Sequence, residues 1–186
     1  EGRNSFQFYF SEMNALSLQR LGLESEMRKA LSREEFCLHF QPQYNVEDKQ
    51  MVGFETLIRW QHPKKGLLFP GEFIPLAEET GLIVSIGEWV LRSTCRQLAQ
   101  WQREGRAPVR VAVNISTRQF HQQDLAALVR DILEETGADS SRLELEITES
   151  LLMQDVEGAV KKLDQLRDLG VKIAIDDFGT GYSSLS

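Results

Sequence analysis

Four strand-like segments each place a polar, mostly acidic residue near their C-terminal end: Glu55, Asn114, Glu146, and the adjacent pair Asp176 and Asp177. Carboxylate and amide oxygens are hard donors, suited to a divalent cation that serves an anionic substrate. Spread over roughly 120 residues, they converge only if the strands run parallel, since a parallel barrel collects its functional residues at the C-terminal face.

The elements that must position them follow from periodicity. From Glu35 onward strands and helices alternate, which favours a parallel α/β sheet over a sandwich or a helix bundle. FCLHFQPQY and MVGFETLIRW read as strands joined by the polar turn NVEDKQ, short enough for an antiparallel pair. SIGEWVLRSTCRQLAQWQREG is helical, with Leu91, Cys95, Leu98 and Trp101 on one face, and Gly105 ends it. VRVAVNIS, RLELEITES and VKIAIDDF are further strands. The helices DLAALVRDILEETG, with Leu125, Leu128, Val129, Ile132 and Leu133 inward, and DVEGAVKKLDQLRDLG separate them. The period of about 30 residues is that of a barrel. Expected is an α/β, TIM-like (β/α)8 barrel with an antiparallel first strand, of which about five of eight strands fall within this chain.

Parity sharpens the expectation. Gly53 and Glu55, Ala112 and Asn114, Glu144 and Glu146, and Ala174 and Asp176 share one strand face, while Val111, Val113, Leu145, Ile147, Ile173 and Ile175 take the other. In a barrel wrapped by helices the oily face packs outward and the small or polar face points to the axis. Glu144, deeper on the inward face, reads as structural, with Arg110 or Lys172 as its partner, because a buried carboxylate needs one.

The bulk numbers set bounds. At 186 residues and 41% hydrophobic content the chain can build one domain core. A net charge of −7, from 21 basic and 28 acidic residues, leaves no basic footprint for a DNA or RNA polymer. Cys37 and Cys95 show neither metal-ligand spacing nor a disulfide framework, which fits a reducing, cytoplasmic compartment. No apolar run reaches the length of a bilayer span and no signal-peptide pattern opens the chain, so any membrane tether is expected outside it. Residues 1–10, with the alternation Phe6, Phe8, Phe10, look like the tail of an upstream module. Residues 11–34 read as a linker helix capped by Ser11, with Met13, Leu16, Leu23, Met27 and Leu31 near helical spacing, interrupted at Arg20 and Gly22.

The motifs FQPQYN, GFETLIRW, PGEFIPLAEETGLI, VAVNIS, LELEITES and IAIDDFGTGYSSL, in that order, resemble the bacterial EAL-domain cyclic di-GMP phosphodiesterases from Glu35 to the end. The name-giving triplet is here Glu55-Thr56-Leu57. Residues 1–14 resemble the exit of a GGDEF domain, which implies a parent chain with both modules. The resemblance implies opening of cyclic di-GMP to linear pGpG by a metal-activated water. It assigns two Mg²⁺ or Mn²⁺ ions, and no organic cofactor, to Glu55, Asn114, Glu146, Asp176 and Asp177. It assigns substrate contacts to Gln41, Leu57 and Arg59, the last suited to a phosphate oxygen. Glu149 and the stretch Phe178-Gly179-Thr180-Gly181-Tyr182-Ser183-Ser184 resemble the loop that couples homodimer formation to the second metal site. The family's catalytic Lys and general-base Glu fall after the last residue given, Ser186, so these residues alone are expected not to turn over the substrate.

Other readings stay open on the residues. Asp177 has the opposite parity to Asp176 and can cap the turn after it, and Asn114 can serve backbone groups at the barrel mouth. Arg59 can be a surface strand charge. His39, His62 and His121 lack ligand spacing and read as packed or exposed, and Trp60, Trp89 and Trp101 as core or domain contacts. At the level of function, a degenerate EAL domain that binds cyclic di-GMP as a receptor, or a dimerisation module, competes with the enzyme.

Overall fold

β1 (Phe36–Tyr44) descends, a polar turn follows, and β2 (Met51–His62) climbs back beside it. The computed structural model describes residues 11–106, 109–153 and 155–176, with side chains from Leu18 onward except Gln19 and Ser150. β2 then pairs in parallel with β4 (Arg110–Asn114), β4 with β5 (Leu143–Thr148), and β5 with β6 (Lys172–Asp176). The sheet order is β1-β2-β4-β5-β6, so β1 and β6 are its two ends among the described residues. This is the expected antiparallel hairpin followed by a parallel run, an incomplete TIM-like barrel wall.

A sixth strand, β3 (Gly66–Leu68), pairs antiparallel with the end of β2 and was not expected from the sequence. Three residues are too few for periodicity to register, but Gly66 at φ 76° marks the tight turn that makes the hairpin.

The helices form where caps and stripes dictate. α2 (Pro70–Thr80) starts at a proline, with Glu72 accepting a 2.7 Å hydrogen bond from the Phe69 N–H, and stops at Gly81 in the left-handed region. α3 (Leu82–Arg103) begins three residues earlier than the sequence suggested and buries Leu91, Cys95 and Leu98, with Trp101 half-buried. α4 (Thr117–Gln122) is capped by Ser116, α5 (Leu125–Thr136) by Asp124 and α7 (Val156–Asp168) by Asp155. The short α6 is Glu149–Leu152. On α5 the buried positions are Leu125, Ala126, Val129 and Ile132, while Leu128 and Leu133 pack at the margin, so the stripe is rotated slightly from the one expected.

The oily parity packs outward as expected on β4 and β5, where Val111, Val113, Leu145 and Ile147 are buried beneath the helices, but not on β6, the end of the sheet among the described residues, where Ile173 is half-buried and Ile175 is 48% exposed. Thr56 does likewise, its hydroxyl 3.5 Å from that of Thr94 on α3. Phe36, Trp60 and Phe73 meet with ring centroids 5.7 to 5.8 Å apart and lock the β1–β2 hairpin to α2.

α1 (Ser11–Ala30) runs unbroken through Arg20 and Gly22. Met27 and Ala30 are fully buried against the wall, Arg20 pairs with Glu79 of α2 at 2.6 Å, and Glu26 bonds His62 at 3.0 Å. Two backbone N–H groups, of Lys64 and Lys65, donate to His62 Nδ1, which leaves Nε2 as the protonated atom facing Glu26. His62 is thus a packed structural histidine.

Candidate active site at the barrel mouth

The inward parity of the wall carries a row of side chains. On β1 and β2 directly paired residues share a face, and Gln41 stands opposite Glu55 and Gln43 opposite Gly53. Asn114 lies level with Glu146, and Asp176 level with Thr148, two residues beyond Glu146. Such stepping is how tilted barrel strands bring residues of unequal register to one rim.

At that rim Asn114 Nδ2 donates to Glu55 Oε1 at 2.9 Å, joining two residues from non-consecutive motifs. With its N–H engaged, the Asn114 oxygen is left as an acceptor. Glu146 is half-buried, and burial first, then the neighbouring charges of Glu55, Asp176 and Glu144, push its carboxyl up to about 7. The structure therefore brings Glu55, Asn114, Glu146 and Asp176 to one end of the sheet. Among the described residues, no three His, Cys, Asp or Glu groups stand close enough as placed to hold a metal ion. Asp177 and residues 178–184 lie outside the described residues.

The remaining site residues are placed as follows. Gln41 is exposed, and Leu57 and Arg59 are half-buried on the inward parity of β2. The Arg59 guanidinium lies 4.9 Å over the Phe69 ring and donates through Nη1 to the Ile58 carbonyl at 2.8 Å. Its Nε is buried without a hydrogen-bond partner among the described residues. Phe69 was missed by sequence reasoning; it stands just before α2, where an aromatic 53% exposed is the available signal. Glu149 opens α6, directly after β5, rather than lying in a loop.

Below the rim the same face carries a second polar layer. Arg110 bridges to Glu144 at 2.9 Å, and Glu144 is only 6% exposed, so of the two partners open to it Arg110 is the one used. A cavity of about 670 Å³ lies at this lower end, lined by Tyr44, Val52, Arg110, Arg142 and Lys172 among others. It contains none of the rim residues, and the convergence of oxygen donors, not the volume, marks the site.

A parallel α/β wall with polar side chains gathered at its C-terminal strand ends defines the class of TIM-like barrels, of which the described residues form an incomplete part. Within that class the assignment is specific: the family model described as EAL domain matches residues 24–186, and the chain belongs to the EAL domain family. It is 48% identical over 185 residues to the bifunctional diguanylate cyclase/cyclic di-GMP phosphodiesterase MucR of Pseudomonas aeruginosa, covering 100% of this chain and 27% of that protein. The cyclic di-GMP phosphodiesterase NbdA of the same organism is 42% identical over 185 residues, covering 100% and 24%. The chain thus spans about a quarter of the length of these curated relatives. Among solved structures, the MucR phosphodiesterase in complex with c-di-GMP superposes with a TM-score of 0.83 at 48% identity, over 88% of this chain and 66% of that one. The EAL enzyme Bd1971, bound to cAMP and cyclic-di-GMP, gives 0.81 at 33% identity over 91% and 47%.

Proposed function

We propose that the protein carrying this chain hydrolyses cyclic di-GMP to linear pGpG with two divalent ions, Mg²⁺ or Mn²⁺. The observation that carries the reading is the gathering of Glu55, Asn114, Glu146 and Asp176 at one rim within an EAL domain. Relatives named as cyclic di-GMP phosphodiesterases, and a similar solved structure in complex with c-di-GMP, support the substrate.

The residues fit the ions. All donors are hard oxygens, and the Glu146 carboxyl, raised by burial and then by the charges of Glu55 and Asp176, stands where a cation would favour its charged form. Glu55, Asn114, Glu146 and Asp176 would hold one ion, and Asp176 with Asp177 would share in the second. When bound, such ions supply charge neutralisation at the phosphate and lower the pKa of an attacking water.

The chain's own groups do the rest. Arg59, 4.9 Å over the Phe69 ring and with its Nε unpaired among the described residues, suits a phosphate oxygen. Gln41 and Leu57 line the same face and contact the nucleotide. A homodimer coupled to the site through Glu149 and the 178–184 stretch belongs to the same reading, as does a cytoplasmic setting, in keeping with the unpaired thiols of Cys37 and Cys95.

The test is turnover of cyclic di-GMP by the longer protein, followed by chromatography for pGpG with Mg²⁺, with Mn²⁺ and with EDTA. Metal-dependent pGpG formation is expected. Tight binding of cyclic di-GMP with no product under any metal would replace the enzyme by a receptor.

A further inference from the structure

Phe69 is 53% exposed, yet its backbone is tied from both directions. Its N–H donates to the Glu72 carboxylate at 2.7 Å, and its carbonyl accepts from the Glu72 N–H at 2.9 Å. Pro70 follows and restricts the residue before it to extended dihedrals, as found here at φ −93° and ψ 158°. Leu68 precedes it, paired with Trp60 and 6% exposed. Burial does not account for a large apolar side chain left half open to solvent, so the ring's contacts have to.

Register places the ring. β2 and β3 run antiparallel with Gln61 opposite Leu67 and Trp60 opposite Leu68, and one step further Phe69 falls opposite Arg59. Residues opposite one another share a sheet face, and Arg59 has the inward parity that carries Glu55 and Leu57 to the mouth. The Arg59 guanidinium carbon accordingly stands 4.9 Å from the centroid of the Phe69 ring. Nη1 is tied to the Ile58 carbonyl at 2.8 Å, while the buried Nε has no hydrogen-bond partner among the described residues. An arginine side chain has many rotamers, and a ring against its face with a carbonyl at its edge leaves it few.

We propose that Phe69 is a positioning residue for Arg59: its ring holds the guanidinium in place at the barrel mouth before the substrate arrives, so that a phosphate meets a donor fork already oriented. The inference rests on the reading of Arg59 as a substrate contact given above. Phe69 acts through its π face, and such a contact with a cation at an exposed site is equivalent to about a two- to fivefold change in affinity. A group oriented beforehand loses less freedom on binding, so the effect falls on substrate affinity and not on the chemical step.

The test uses the longer protein and cyclic di-GMP in Mg²⁺, read as KM and kcat, or as Kd in the same buffer where no product forms. Phe69→Leu and Phe69→Met keep an apolar side chain and remove the ring; Phe69→Trp keeps a ring. Arg59→Ala, alone and combined with Phe69→Leu, completes the cycle, and thermal melting reads the fold of each variant. Expected is KM or Kd raised about fourfold in Phe69→Leu and Phe69→Met with kcat changed by less than about 1.5-fold. Phe69→Trp should keep the wild-type value, and adding Phe69→Leu to Arg59→Ala should raise it no further. An equal rise in both backgrounds means that Phe69 touches the nucleotide by itself and overturns the positioning role. So does wild-type affinity in the folded leucine and methionine variants, or a loss that tryptophan does not restore. Wild-type affinity in Arg59→Ala overturns the substrate contact and the positioning role together while hydrolysis stands. Binding without product overturns hydrolysis, and the Kd series then decides Phe69; a wild-type protein that does not bind cyclic di-GMP overturns both readings.

Discussion

Glu144 and Glu146 are two residues apart on one strand, point to the same side, and live under opposite conditions. Glu144 is 6% exposed and paired with a guanidinium at 2.9 Å. Glu146 is half-buried, and burial, then the charges of Glu55 and Asp176, push its carboxyl up to about 7. The lower layer uses a carboxylate to hold strands together; the rim sets carboxylates of like charge near one another. Burial alone does not separate structure from chemistry here. The sign of the neighbouring charge does.

The largest effect is expected from breaking the lower pair. Arg110→Met in the 186-residue chain strands a buried carboxylate and should cost about 3 kcal/mol in urea unfolding, and a loss under about 0.5 kcal/mol would make the pair dispensable and erase the contrast. At the rim the effect moves from stability to activity. Glu55→Gln in the longer protein is expected to lower kcat for cyclic di-GMP about a hundredfold while leaving the melting temperature of the chain within a few degrees of wild type. Activity kept at wild-type level would remove Glu55 from the site.

A subtler comparison uses pH. In EDTA, the folded chain holds the Glu146 proton up to about 7, against an ordinary value of 4.5, so between those values the native state binds more protons than the unfolded one. Its contribution to stability therefore falls as pH rises from 4.5 to 7. Urea midpoints across that window should decline less steeply in Glu146→Gln than in wild type, and equal slopes would mean that neither burial nor the rim charges raise the Glu146 carboxyl. The smallest effect belongs to Lys172→Ala. Lys172 is level with Glu144 yet exposed, and its removal should change stability by less than about 0.5 kcal/mol; a loss as large as that of Arg110→Met would make it the true partner.

Much of this was legible in the sequence because strand parity is rigid. Placing Gly53, Glu55, Asn114, Glu144, Glu146 and Asp176 on one face needed only a period of two, and the register places them so. What escaped was set by contacts between strands that do not adjoin in sequence. Gly53 registered as a small inward residue, but nothing in the chain order says that Arg110 on β4 donates to Gln43 on β1 across the strand that carries it. Phe69 beneath Arg59 and the three-residue β3 escaped for a related reason, since each depends on how the end of β2 folds back. The helices α4 and α6 are six and four residues long, too short for a stripe to register.

The grip of α1 on the wall has a mechanical side. Met27 and Ala30 are sealed against the barrel, Glu26 holds His62 at the upper end of β2, and Arg20 holds Glu79 on the helix that β2 and β3 lead into. Rotating α1 about its own axis would break the Glu26–His62 bond, expose those two side chains, or carry the end of β2 with it. The strand so harnessed is the one that bears Glu55, Leu57 and Arg59, so torque applied to α1 reaches the rim residues along β2 itself.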